Sequence, residues 1–140
     1  MRALGIDLGS KRIGVAVSDR SGTIATPLTV IQRSGSTKVD HQRIASLVAE
    51  EEAEVVVVGL PFNMNGTLGP AARAAMAEAK ALSTVVEVPV ETHDERRTTV
   101  TADAALMELK MRAQARRRII DKVAAAVMLQ SWLDGRAARG

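Results

Sequence analysis

Four consecutive valines, Val55 to Val58, set the tightest limit on how this chain of 140 residues can fold. A β-branched apolar run without polar alternation suits a strand buried on both faces, which needs cover on each side of a sheet. The segments flanking it differ in kind. Before it, the chain reads as antiparallel hairpins; after it, strand and helix patterns alternate, as in the parallel part of an α/β sheet. The pattern predicts a mixed five-stranded sheet, three antiparallel strands and then parallel ones, flanked by helices.

The opening stretch, LGIDLGSKRIGVAVSD at residues 4–19, reads as two short strands joined by a tight turn at Gly9-Ser10-Lys11. Side chains alternate between the faces of a strand, so Gly5 and Asp7 share one face while Leu4, Ile6 and Leu8 share the other. On the returning strand, Gly14, Ala16 and Ser18 form a row of very small side chains. If the two small rows share a face, Asp7 is the one bulky polar group on it, with space beside it for an ion or a phosphate. The alternative is a turn-flanking aspartate that accepts local backbone hydrogen bonds.

Thr23 to Gln32 suits a third antiparallel strand, with Pro27 implying an edge position or a bulge. The polar run Ser34 to Lys38 reads as a loop. From about Asp40, Ile44, Leu47 and Val48 recur at helical spacing and end in Glu50-Glu51-Glu52, a solvated helix end. After the valine strand, a polar loop from Gly59 to Pro70 leads into an alanine-rich helix over about 71–82. That loop leaves the carboxyl end of a central strand, where open α/β sheets place ligands, and Asn63 and Asn65 offer polar contacts there. Val85 to Glu91 reads as a fifth strand, ending in Thr92-His93-Asp94-Glu95-Arg96-Arg97-Thr98-Thr99. Adjacent strand residues face opposite ways, so only one of Asp94 and Glu95 can easily face Asp7; pairing with Arg96 or Arg97 at the surface is the bland alternative. A helix to about Leu109 follows, capped by Thr98 or Thr99.

The last helix is expected over about 116–133, with an apolar stripe of Ile119, Ile120, Val123, Ala124 and Val127. Asp121 lies at the border of that stripe, and Arg116, Arg117, Arg118 and Lys122 surround it with positive charge. Ion pairing of Asp121 with those arginines is the structural alternative. Residues 135–140 are expected to be a flexible tail, and nothing in the pattern divides residues 1–140 into more than a single domain.

Composition narrows the chemistry. Cysteine is absent and His41 and His93 are the two histidines, so disulfides and thiolate metal sites are excluded and any metal must be held mainly by oxygen. No apolar run approaches the ~20 residues that cross a bilayer, and Met1-Arg2 leads straight into a strand, so a cytoplasmic protein without a membrane partner is expected. Residues 1–95 hold 9 Lys/Arg against 12 Asp/Glu, whereas residues 96–140 hold 10 against 4. A basic C-terminal third fits a nucleic-acid surface, and a solvated basic helix gives the same count. With Phe62 and Trp132 the only aromatics, backbone or shape recognition is favoured over base stacking.

The order of elements, with acidic residues ending the first strand, following a later strand and standing on the last helix, resembles the ribonuclease H-like fold. Within it the chain resembles the YqgF/RuvX family, described as Holliday-junction resolvases and pre-16S rRNA nucleases. The likeness rests on GIDLGSKRIGVAVSD at 5–19, VVGLPFNMNGTLGP at 57–70, HDERRTT at 93–99 and DKVAAAVMLQSWL at 121–133, nearly the whole chain. It implies an acidic triad of Asp7, Glu95 and Asp121 that binds Mg²⁺ or Mn²⁺ and catalyses phosphodiester cleavage. Arg97 departs from the apolar residue expected after Asp-Glu-Arg, which bears on substrate contact. Contacts to nucleic acid are expected from Lys11, Arg12, Asn63, Asn65, Arg96, Arg116, Arg117, Arg118 and Lys122. Structured RNA is the favoured substrate, as in 5′-end processing of pre-16S rRNA for ribosome biogenesis. Branched DNA is the alternative, and the protein is expected to be a monomer or a homodimer, a two-fold dimer being needed to cut a junction symmetrically. Two further readings stay open: the first hairpin also resembles the phosphate-binding hairpin of actin/Hsp70/sugar-kinase ATP-binding proteins, which use two such domains, and the chain could be a non-catalytic RNA-binding or transcription factor.

Overall fold

A computed structural model describes residues 1–61, 65–94 and 113–139. The opening hairpin consists of β1 (Ala3–Leu8) and β2 (Arg12–Ser18), paired from Leu4 opposite Val17 to Leu8 opposite Ile13. β3 (Ala25–Gln32) pairs antiparallel with the far side of β2. Pro27 has no N–H to give a ladder, and it satisfies both options that sequence offers: β3 is an edge strand, and the register shifts opposite Pro27, between Val15 and Ala16. β4 (Val55–Leu60) runs parallel to β1, and β5 (Val90–Asp94) runs parallel to β4. The sheet order is β3-β2-β1-β4-β5, a mixed α/β sheet of the expected kind.

The valine run behaves as its composition requires. Val56 and Val58 join Leu4, Ile6, Ile13 and Val15 in one core, closed by Ile44 and Val48 of α1 (Thr37–Glu50) and by Ala79 and Leu82 of α2 (Pro70–Ser83). Val55 and Val57 join Ala3 and Ala16 in a second core on the opposite face. That core is closed by Ala125, Met128, Leu129 and Trp132 of α3 (Ala113–Arg139). Each fully buried aliphatic side chain contributes about 1.5–3 kcal/mol, so both faces of β4 are needed to hold the layers together. No described helix is long and apolar enough to cross a membrane.

Several boundaries differ from the sequence reading. α1 starts at Thr37, inside the run expected to be a loop, because Ser36 caps it by accepting the Val39 N–H at 3.3 Å. β5 starts at Val90, not Val85: residues 84–86 instead close the end of α2, through bonds from the Thr84 N–H to the Ala81 carbonyl and from the Val85 and Val86 N–H groups to that of Leu82. The alternation of Val86, Val88 and Val90 toward the first core survives without strand backbone. α3 is longer at both ends than 116–133 and runs on to Arg139 where a flexible tail is expected. Its most buried residues are Ala125, Ala126, Met128, Leu129, Trp132 and Leu133, while Val123, Ala124 and Val127 of the expected stripe are half-buried. The helix expected to end near Leu109 lies outside the described residues.

Candidate active site

The register of the sheet answers the question that surrounds Asp7. Asp7 pairs with Gly14, and Gly5 pairs with Ala16, so the two rows of small residues do share a face, the one covered by α3. Along β4 the residues on that face are Val55, Val57 and Gly59, which leaves glycines on both strands flanking the end of β1.

The small row lets α3 sit almost on bare backbone. A Cβ on Gly14 would overlap the carbonyl oxygen of Asp121, and one on Gly5 would stand 2.9 Å from the Leu129 Cβ. Asp121, Ala125, Met128, Leu129 and Trp132 follow helical spacing, so Asp121 continues the line of residues facing the sheet instead of bordering it. Further along, Gln130 accepts the Ala25 N–H and donates to the Thr23 carbonyl, both at 2.8 Å, and Ser131 bonds His93 Nε2 at 3.0 Å. These contacts fix the helix both along and across the strands. They set the Asp121 backbone directly over the partner residue of Asp7.

Asp121 has a defined partner. Arg12 Nε donates to Asp121 Oδ2 at 2.6 Å, and the two side chains are 25% and 24% exposed. The side chains of the other expected neighbours, Arg116, Arg117, Arg118 and Lys122, lie outside what is described, although their backbones belong to α3. Lys11 is exposed in the turn beside Arg12.

That turn is held from below. The Gly9 N–H bonds the Arg12 carbonyl at 3.0 Å, and Arg33 reaches both ends of the turn, its N–H to the Lys11 carbonyl at 3.0 Å and its Nε to the Gly9 carbonyl at 2.7 Å. Glu78 of α2 takes both remaining Arg33 nitrogens at 2.9 Å and also meets His41 Nε2 at 2.9 Å. Burial pushes the Glu78 carboxyl up, but hydrogen bonds from Arg33 and His41 and their charges outweigh it and hold Glu78 below its ordinary value. Asp40 follows the same pattern: burial raises it, and hydrogen bonds from the Ser34 N–H and hydroxyl, with Arg33 and Arg43 nearby, leave it lowered. No sequence motif marks Arg33, His41 or Glu78. His93 and Ser131 also escape sequence reasoning, although His93 stands beside the acidic pair in the HDERRTT segment.

The RuvX family model, described as "Holliday junction resolvase", matches residues 1–135. The chain belongs to the RuvX family. A relative from Thermoanaerobacter pseudethanolicus, named "Putative pre-16S rRNA nuclease", is 47% identical over 135 residues, covering 96% of each chain. One from Mycobacterium sp. (strain KMS) with the same name is 49% identical over 138 residues, covering 98% of this chain and 82% of the relative. In fold, this RuvX chain is similar to a solved structure described as "T. thermophilus RuvC in complex with Holliday junction substrate", with TM-score 0.61 and 18% identity over 98% of this chain and 96% of that one. The likeness places the RuvX chain in the ribonuclease H-like fold.

Of the site residues expected for this RuvX chain, Asp7 and Asp121 are brought to one face. Asp94 pairs with Leu60, and by alternation along β5 it faces the α1 and α2 side, away from Asp7. Glu95, Arg96 and Asn63 lie outside the described residues. Asn65 is exposed and turns its Oδ1 back to the Thr67 N–H at 3.1 Å and hydroxyl at 2.6 Å. Among the described residues there is no group of three His, Cys, Asp or Glu side chains that could hold a metal ion.

Proposed function

We propose that this chain is a divalent-metal-dependent endonuclease for structured nucleic acid, with the 5′ end of pre-16S rRNA as its main substrate. The observation that carries the reading is that Gly14 is shared: Asp7 of the first strand is its cross-strand partner, and the backbone of Asp121 on the last helix rests on it. The names of the relatives support the choice of RNA.

The donors suit a hard cation: carboxylate oxygens and no cysteine. Asp7 and Asp121 would hold Mg²⁺ or Mn²⁺, with Glu95 as the third carboxylate. Glu95 is preferred to its neighbour because Asp94 belongs to the other face. A bound ion supplies Lewis-acid activation of water and stabilisation of the leaving oxygen at a phosphodiester. The chain's own work is to fix the carboxylates on rigid elements and to bring Lys11, Arg12, Arg96 and the Arg116–Arg118 and Lys122 cluster against the phosphate backbone. Asn63 and Asn65 belong to the loop that would flank the substrate.

The family description favours a second reading, cleavage of a four-way DNA junction, which requires a two-fold dimer to cut symmetrically. One assay separates these readings. Purified protein is offered a ribosomal RNA precursor and a four-way DNA junction with Mn²⁺ or Mg²⁺, as wild type and as Asp7→Asn. Cleavage of RNA by wild type, lost in Asp7→Asn with binding retained, is the expected result. Symmetric junction cutting establishes the second reading. RNA binding without cleavage by either protein overturns both and leaves a non-catalytic RNA-binding factor.

A further inference from the structure

The Arg12–Asp121 pair joins a residue expected to contact nucleic acid to a residue expected to hold metal. Its geometry is a charge-assisted hydrogen bond of 2.6 Å through Nε. Each side chain keeps about a quarter of its surface in water, 25% for Arg12 and 24% for Asp121, so the pair can be exchanged without unfolding anything. The backbone of Arg12 is pinned at the start of β2 by the Gly9 N–H, and that of Asp121 is pinned on Gly14, so exchange involves the guanidinium alone. An arginine fork matches a phosphate as well as it matches a carboxylate.

We propose that Arg12 is a phosphate-released guard on Asp121. In the free protein its guanidinium neutralises Asp121 and competes with a divalent cation. A phosphodiester arriving at the β1–β2 turn draws the guanidinium to itself and hands Asp121 to the ion. Nucleic acid and metal then raise each other's affinity by the same factor, as linkage requires. The inference rests on the metal site proposed above, and it differs from phosphates merely completing the ion's coordination. In that case removing Arg12 leaves metal affinity in the free protein unchanged. If Arg12 only orients Asp121, removing it weakens metal binding. A guard predicts the opposite sign.

The test is calorimetric titration of Mn²⁺ into wild type, Arg12→Gln, Lys11→Gln, Asp121→Asn and Asp7→Asn, each without and with a short RNA duplex. Arg12→Gln is expected to bind Mn²⁺ about fivefold more tightly than wild type without RNA, the scale of a partly exposed ion pair. Its gain in affinity on adding RNA should fall toward one. Lys11→Gln removes a neighbouring charge without touching the pair, and it should change Mn²⁺ affinity less than about twofold. Equal or weaker Mn²⁺ binding by Arg12→Gln overturns the guard, as does an equal gain in Lys11→Gln, which marks general charge removal. If the two aspartate variants lose Mn²⁺ binding in either case, the metal site stands without the guard. If Asp7→Asn and Asp121→Asn both bind Mn²⁺ as wild type does, the metal site fails and the guard falls with it.

Discussion

Two arginine–carboxylate pairs lie on opposite sides of the same β1–β2 turn, and they are built to different ends. Arg33 and Glu78 meet through both Arg33 Nη nitrogens, while Arg33 Nε holds the turn and His41, 2% exposed, takes Glu78 from a second helix. Arg12 and Asp121 meet through a single bond. Exposure hardly separates them, at 18% and 17% against 25% and 24%. The number of bonds separates them. A bidentate pair with every neighbour committed resists exchange, whereas a single-bonded pair at the mouth of a glycine-lined face can trade partners.

The largest expected effect tests that division directly. On the proposed metal site, Asp121→Asn should lower single-turnover cleavage by about a thousandfold or more, because amide for carboxylate removes the charge that would hold the ion. Its unfolding free energy should change by no more than about 1 kcal/mol, the worth of a partly exposed pair. A loss of stability comparable to the loss of activity would make Asp121 a structural residue and erase the contrast.

The reciprocal variant is Glu78→Ala. It strands the Arg33 guanidinium and His41 together, and urea unfolding should show a loss of about 2–4 kcal/mol, below the cost at a fully buried pair because Glu78 keeps some solvent contact. Mn²⁺ binding by the protein that remains folded should persist. A variant as stable as wild type would show that the network is no firmer than the Arg12 pair.

Gly14→Ala sharpens the comparison from the backbone side. Its methyl group meets the Asp121 carbonyl, so α3 must shift, at a cost of about 1–3 kcal/mol by thermal unfolding. Cleavage should fall further than stability explains, since the shift moves a carboxylate. Equal activity at full stability would mean the helix seat is not what spaces the site.

The smallest effect is in pH. Glu78 is held below its ordinary 4.5, so near that value the unfolded chain binds more protons than the folded one. Its contribution is therefore complete above about pH 4.5 and is lost as pH falls through the lower folded value. Asp40 acts in the same direction below 3.8, and so does Asp19, whose carboxylate is lowered by the Ser21 and Thr23 hydroxyls and the Thr23 and Ile24 N–H groups. Stability should drop on acidification from pH 5, and Glu78→Gln should flatten the first part of that drop. An unaltered profile would remove Glu78 from the account.

What was legible in the sequence follows from what period-2 patterning can carry. Val55 to Val58 and the small row Gly14, Ala16, Ser18 are local patterns, and both read correctly because each needs only alternation to be interpreted. The start of α1 escapes the pattern because Ser36, its cap, looks like loop when surrounded by Ser34, Gly35 and Thr37. The span 85–89 imitates a strand by alternation alone, although the turn that closes α2 occupies its first residues. The Arg12–Asp121 bond spans 109 positions, and the Arg33–Glu78 pair joins residues 45 apart, so neither leaves a local signature. In such pairs the partner is chosen by tertiary placement, which composition and spacing do not encode.

The seat of Asp121 on Gly14 also gives the molecule an order of assembly. A ribosome delivers Asp7 with the first strand and Asp121 only with the final helix, the same helix whose Ala125, Leu129 and Trp132 cover the Ala3, Val55 and Val57 side of the sheet. A nascent or locally opened chain therefore carries one carboxylate, exposed on an unroofed sheet, and lacks the second. Closure of the roof and completion of the acidic pair are therefore a single event, reached only when folding is finished.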